Sequence, residues 1–153
     1  MYWLELRIPP RLVAVAAGIG MWAVSFLGPR FDLPQSHHWA TALAGALGGG
    51  AITFTGGATL RAARTTLLPT SPQKTTSLVT TGIFRWTRNP MYLGLTVALI
   101  GWAAFLSAAW SLLGPVLFVL YVNRFQIRPE ERVLTDLFRA EYTNYAQRVR
   151  RWL

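Results

Sequence analysis

The chain has no cysteine among its 153 residues. That absence excludes a disulfide framework, a thiolate metal site and a cysteine nucleophile. Acid is scarce as well: six Asp and Glu stand against 15 Lys and Arg, for a net charge of +9. Charged residues make up only 14 % of the chain and hydrophobic ones 52 %, whereas soluble domains carry roughly a quarter charged residues. Such apolarity excludes a disordered tail. The two histidines, His37 and His38, are adjacent. Neighbouring side chains diverge on a helix, and no other His or Cys completes a ligand set, so no metal is expected. The length suits one domain spanning residues 1–153. A soluble nucleic-acid binder would explain the sign of the charge but not the hydrophobicity. A membrane protein explains both.

Three long stretches lack formal charge: 12–29, 33–60 and 89–123. A membrane helix needs about 20 mostly apolar residues. The first stretch predicts one span over about 12–29, and the second predicts one from Trp39 to about residue 60. The third is too long for one helix and reads as a hairpin, with arms near 91–106 and 110–123 turning at Ser107, Ala108 and Ala109. The expected fold is therefore all-α, an integral membrane bundle of about four helices. The first stretch also has the outline of a signal peptide, but it shows no small-x-small cleavage site and three further spans follow. With four spans both ends share a side. Fourteen of the 15 basic residues then fall on that side and only Arg30 on the other, which by the positive-inside rule places both termini in the cytoplasm. This topology accounts for the charge without a nucleic-acid partner. Membrane lipids are the expected surroundings, in a bacterial-type inner membrane.

Gly45, Gly49, Thr53 and Gly57 recur at four-residue spacing in the second span. Their shared face predicts close helix packing. Two segments on the cytoplasmic side stand out. The loop 61–90 is long enough to be functional, and it ends in Asn89-Pro90, read as N-cap and first helical residue. Arg85 and Arg88 beside that helix start make an anion site. After the last span, Pro129, Glu130 and Glu131 read as the first turn of an amphipathic helix over 129–150. Its apolar stripe is Leu134, Leu137, Phe138, Tyr142, Tyr145 and Val149. The basic run Arg148–Trp152 suits anionic lipid headgroups.

Leu78 to Gly94 (LVTTGIFRWTRNPMYLG) resembles the loop-to-helix motif of the integral-membrane methyltransferases, which join isoprenylcysteine carboxyl methyltransferases and phospholipid N-methyltransferases. The motif runs Gly, aromatic, then Arg-His/Asn-Pro-x-Tyr-x-Gly. A second resemblance lies in Glu130-Glu131, Leu134, Phe138 and Tyr142-Thr143-Asn144-Tyr145. The two together cover about residue 65 onward. Two departures stand out: Asn89 replaces the His of isoprenylcysteine enzymes, and Arg139 stands where a Gly is usual. The chain also lacks the extra spans of longer relatives.

The resemblance implies an S-adenosylmethionine-dependent methyltransferase with the donor bound on the cytoplasmic side. It implies that Asn89, Pro90, Met91 and Tyr92 contact the donor, with Arg85 and Arg88 nearby. Glu130 or Glu131 would hold its ammonium or ribose hydroxyls, and Thr66, Leu67, Leu68 and Pro69 would cover it. Arg124 and Tyr92 are the candidate catalytic residues, with Arg124 facing the acceptor, a lipophilic or small molecule such as an isoprenylcysteine-type carboxylate, a thiol or a lipid amine. Methyl transfer needs alignment more than a nucleophilic triad, and no triad is visible. The competing reading is a small non-catalytic scaffold or transporter-like subunit, which predicts no cytoplasmic pocket large enough for a nucleoside.

Overall fold

The computed structural model describes residues 5–32, 34–65 and 72–153. Among them the regular elements are helical: α1 (Pro10–Val24), α2 (Gln35–Ala62), α3 (Pro90–Leu106), α4 (Leu113–Val122) and α5 (Arg128–Arg148). The all-α expectation holds. No helix among the described residues is by itself long and apolar enough to cross a membrane. α1, α3 and α4 are apolar but have only 15, 17 and 10 residues. α2 has 28 residues, about 42 Å at 1.5 Å each, but its glycines, threonines and histidines dilute its hydropathy.

The helix limits follow from local chemistry. α1 ends at Val24, short of the expected residue 29. The Ser25 hydroxyl donates back to the Trp22 carbonyl at 2.6 Å, and Gly28 packs on the Trp110 indole so closely that a Cβ would collide. α2 starts at Gln35, directly after Pro34 and ahead of the expected Trp39. α3 starts at Pro90 as the sequence predicts, where a missing N–H costs nothing. Asn89 does not cap it: the Asn89 amide donates instead to the Arg151 carbonyl at 2.9 Å. Ser107, left-handed at φ 47°, ends α3 at the predicted turn.

α2 and α3 form the most extensive helix pair, and they touch backbone to backbone. A Cβ on Gly45 would lie 2.6 Å from the Gly101 Cα. A Cβ on Gly94 would collide with the Gly49 carbonyl and the Thr53 hydroxyl. The predicted small-residue face is thus real for Gly45, Gly49 and Thr53. Gly57 departs from it, because nothing lies within 4 Å of where its Cβ would be. Gly56 takes the contact at that level, with a Cβ position 2.9 Å from the Pro90 ring. α1 and α4 pack on the other side of α3 around Met21, Leu99, Ala103, Phe118 and Val122.

The ends of the bundle are tied differently. At one end the α1–α2 connection meets the α3–α4 turn through backbone bonds, from Phe31 N–H to Ser107 O at 2.7 Å and from Ala109 N–H to Pro29 O at 3.1 Å. At the other end α4 runs without a break through a π turn (Asn123–Ile127) into α5. Pro129 has no N–H to offer the carbonyl four residues back. That carbonyl, Phe125 O, instead accepts the Leu6 N–H at 3.0 Å. The Gln126 amide donates to Ile8 O at 2.8 Å, and Glu5 binds both Arg124 and Arg132. The segment before α1 is therefore stitched to the π turn.

α5 begins one residue before its expected start and is not continuous. At Arg139 the backbone takes φ 46°, ψ −118°, a combination that costs a residue with a Cβ about 1–3 kcal/mol. This break turns Tyr142 and Tyr145 inward to full burial while Leu137 stays exposed. The single stripe expected over 129–150 is thereby split into two directions.

Two measurements test this packing. Gly101→Val should destabilise the protein by about 3 kcal/mol through overpacking, while Gly50→Ala, which meets nothing within 4 Å, should raise stability slightly; thermal melts of both in one detergent give the comparison. Arg139→Gly should stabilise by about 1 kcal/mol by relieving the backbone, and a lowered melting temperature would contradict the assigned break.

Candidate active site

The start of α3 and the start of α5 face each other across a cavity of about 90 Å³ that opens to the surface. Arg88, Asn89, Pro90, Met91 and Tyr92 line one side, and Glu130, Glu131 and Leu134 line the other. Tyr142 and Tyr145 reach it from beyond the break in α5, and Leu60, Leu78, Val79 and Phe84 give it apolar walls. A 3-10 turn at Gly82–Arg85 positions Phe84, with Gly82 at φ 60° supplying the left-handed residue that starts it. The Tyr145 hydroxyl locks this turn by donating to the Phe84 carbonyl at 2.8 Å.

The adjacent acids have separate roles. Glu131 receives a two-pronged contact from Arg151, Nε to Oε1 at 3.0 Å and Nη2 to Oε2 at 2.7 Å. Arg88 Nη2 lies 3.2 Å from the same carboxylate. Glu130 instead accepts the Tyr92 hydroxyl on Oε2 at 3.2 Å. Burial pushes the Glu130 carboxyl up to about 7; the Tyr92 hydrogen bond opposes the shift and the Glu131 charge adds to it. Burial likewise raises Tyr142 to about 12, and Tyr145 still higher. Both phenols therefore stay protonated at neutral pH. Glu131 is held by two guanidiniums, whereas Glu130 meets the Tyr92 hydroxyl. Arg88 donates from Nη1 to the Tyr142 hydroxyl at 3.3 Å, but its Nε is buried without a partner.

Seven of the predicted site residues converge here. Arg85 does not: it is exposed and lines a separate notch with Thr80, Thr81 and Arg148. It is carried away because the 3-10 turn uses Phe84, not Arg85, as its inward residue. Arg124 is also absent from the lining; it is held by Glu5 at 2.8 Å and lies over the Phe125 ring. Thr66, Leu67, Leu68 and Pro69 fall outside the described residues. One contributor was not foreseen. Arg151, expected with its basic neighbours at lipid headgroups, instead has its side chain and the Arg150 and Arg151 carbonyls bound inside the site. No local spacing announces a contact spanning 20 residues; the available signal was that the half-buried Glu131 needs a cation.

Comparison with known proteins fits this arrangement. The phospholipid methyltransferase family model matches residues 38–141. The chain belongs to that family. Within the membrane methyltransferase superfamily, a 75-residue stretch is 39 % identical to protein-S-isoprenylcysteine O-methyltransferase of Saccharomyces cerevisiae, covering 47 % of this chain and 30 % of the yeast protein. The chain thus spans less than a third of that relative. An uncharacterized Haemophilus influenzae protein is 44 % identical over 63 residues, 41 % of this chain and 100 % of that protein. No solved structure matches.

The raised Glu130 carboxyl gives a pH signature. Below about 4.5 the folded and unfolded states both hold its proton, and between about 4.5 and 7 the folded state holds more of it. Its contribution to stability therefore falls as pH rises through that window. Glu130→Gln, which keeps an acceptor for Tyr92, should accordingly gain more stability over wild type at about pH 8 than at about pH 5. Paired thermal melts measure the difference; an equal effect at both values would place the Glu130 pKa in the ordinary range.

Proposed function

We propose that the protein is an S-adenosylmethionine-dependent methyltransferase embedded in a membrane, acting on a lipophilic or small acceptor such as a carboxylate, a thiol or a lipid amine. The observation that carries this reading is the convergence of Asn89-Pro90-Met91-Tyr92 with Glu130 on one cavity. The residues there fit the donor. Glu130 suits an ammonium or ribose hydroxyls, and the unpartnered Arg88 Nε suits a carboxylate. Leu60, Leu78, Val79 and Phe84 offer apolar contact for a base. S-adenosylmethionine supplies a methyl group already activated by its sulfonium leaving group.

The chain's part in this chemistry is binding and alignment. Arg88 and Glu130 fix opposite charges on the two sides of the cavity, the Tyr92 hydroxyl steadies Glu130, and the apolar walls exclude water. The reading as a non-catalytic scaffold assigns no role to the buried, unpartnered Arg88 Nε.

The membrane reading rests on the outer surface. Leu12, Val15, Ile19 and Trp22 on α1, Leu43, Leu47 and Phe54 on α2, and Val116, Leu117 and Leu120 on α4 are each more than half exposed. A surface this apolar calls for a cover, and a bilayer thinned around short helices provides one. The α1–α2 and α3–α4 connections meet at one end of the bundle, and the charge asymmetry supports the reading of cytoplasmic termini at the other.

Purified protein in detergent should bind S-adenosylhomocysteine, and Glu130→Ala should weaken that binding about tenfold or more. Labelled methyl transfer, assayed in parallel on isoprenyl-cysteine, small thiols and phosphatidylethanolamine, identifies the acceptor. A well-folded protein that binds neither donor nor product would overturn the proposal.

A further inference from the structure

The segment 149–153 lies beyond the stretch shared with the family and is bound along its length to the site. The Arg88 N–H donates to Arg150 O at 3.1 Å, and the Asn89 amide and Thr87 hydroxyl donate to Arg151 O at 2.9 and 3.3 Å. The Trp152 indole donates to the Asn123 side chain at 3.3 Å, which anchors the segment on the π turn. Between these fixed points the Arg151 guanidinium closes on Glu131 through two parallel contacts, the geometry in which an arginine binds a carboxylate best.

We propose that Arg151 is a positioning residue of the cavity: by clamping Glu131 it shields Glu130 from a neighbouring negative charge and leaves Arg88 facing the cavity. The inference rests on reading the cavity as the methyl-donor site. Around Glu130 stand Tyr92 from α3, Arg88 from the loop, Tyr142 from beyond the break in α5 and Glu131 from its own helix. Of these, Glu131 alone is an anion. With Arg151 in place, two guanidiniums offset its charge. Without Arg151 only the 3.2 Å contact to Arg88 remains. Glu131 then draws Arg88 fully into its own neutralisation and repels a second charge on Glu130. A half-buried acid that loses one of its cations is strongly unfavourable, and the imbalance falls on the neighbouring carboxyl.

The full chain, labelled with carboxyl-carbon-13 glutamate in detergent, contains four glutamates, and Glu130→Gln assigns the resonance of Glu130. Arg151→Met should raise the Glu130 titration midpoint by about one pH unit. Adding Glu131→Gln to that variant should bring the midpoint back. S-adenosylhomocysteine affinity near neutral pH should fall about tenfold in Arg151→Met and recover in part in the double variant. If Arg151→Met does not fold, Arg151→Lys, which keeps the charge but not the paired contact, should show a smaller shift in the same direction. An unchanged Glu130 midpoint in a folded Arg151 variant, or a double variant that stays shifted, overturns the clamp. A wild-type protein that titrates as described yet binds no S-adenosylhomocysteine overturns the donor-site reading and leaves the clamp standing.

Discussion

Backbone contact between α2 and α3 is the constraint on which the rest of the structure depends. It is possible only because Gly45, Gly49, Gly94 and Gly101 lack side chains. The contact sets α2 beside α3 along most of its length and brings Gly56 against Pro90, where α3 begins. Leu60, one turn further on, then becomes a wall of the cavity. Small residues serve this purpose well where apolar side chains face lipid or its equivalent and burial gives little drive for association. The helices adhere through shape, and the position of the cavity-lining residues follows from that shape.

The second organising element is the unbroken passage from α4 through the π turn to α5. A π turn inserts an extra residue into the helical repeat and so rotates everything after it. Here that rotation carries Glu130 and Glu131 to face α3, and Pro129 leaves a carbonyl free to hold the segment before α1. The break at Arg139 then folds Tyr142 and Tyr145 back over the same space. Three departures from regular helix build one wall of the cavity.

Much of this was legible in the sequence. Charge-free runs locate four helices, Asn89-Pro90 marks the start of α3, and the two motifs contain Asn89 to Tyr92 and the acidic pair that line the cavity. What was not legible depended on distance or on backbone detail. The fates of Glu130 and Glu131 differ because of one arginine 20 residues away. Arg85 and Phe84 exchange roles because a 3-10 turn has three residues per turn rather than 3.6. The choice of Gly56 over Gly57 depends on helix phase at a crossing that four-residue spacing alone does not define. Hydropathy also overstated the helices: α1 stops at a serine whose hydroxyl competes for the backbone, a local bond invisible to any average over the segment.

The backbone bonds that join Pro29 and Phe31 to Ser107 and Ala109 have a mechanical consequence. They pin the helix pairs together at the end away from the cavity, like the joined end of a pair of tweezers. Any relative movement of the pairs is then hinged at that end, and at the cavity end it has to break the Leu6–Phe125 and Arg88–Arg150 backbone bonds and the Glu5 and Glu131 ion pairs.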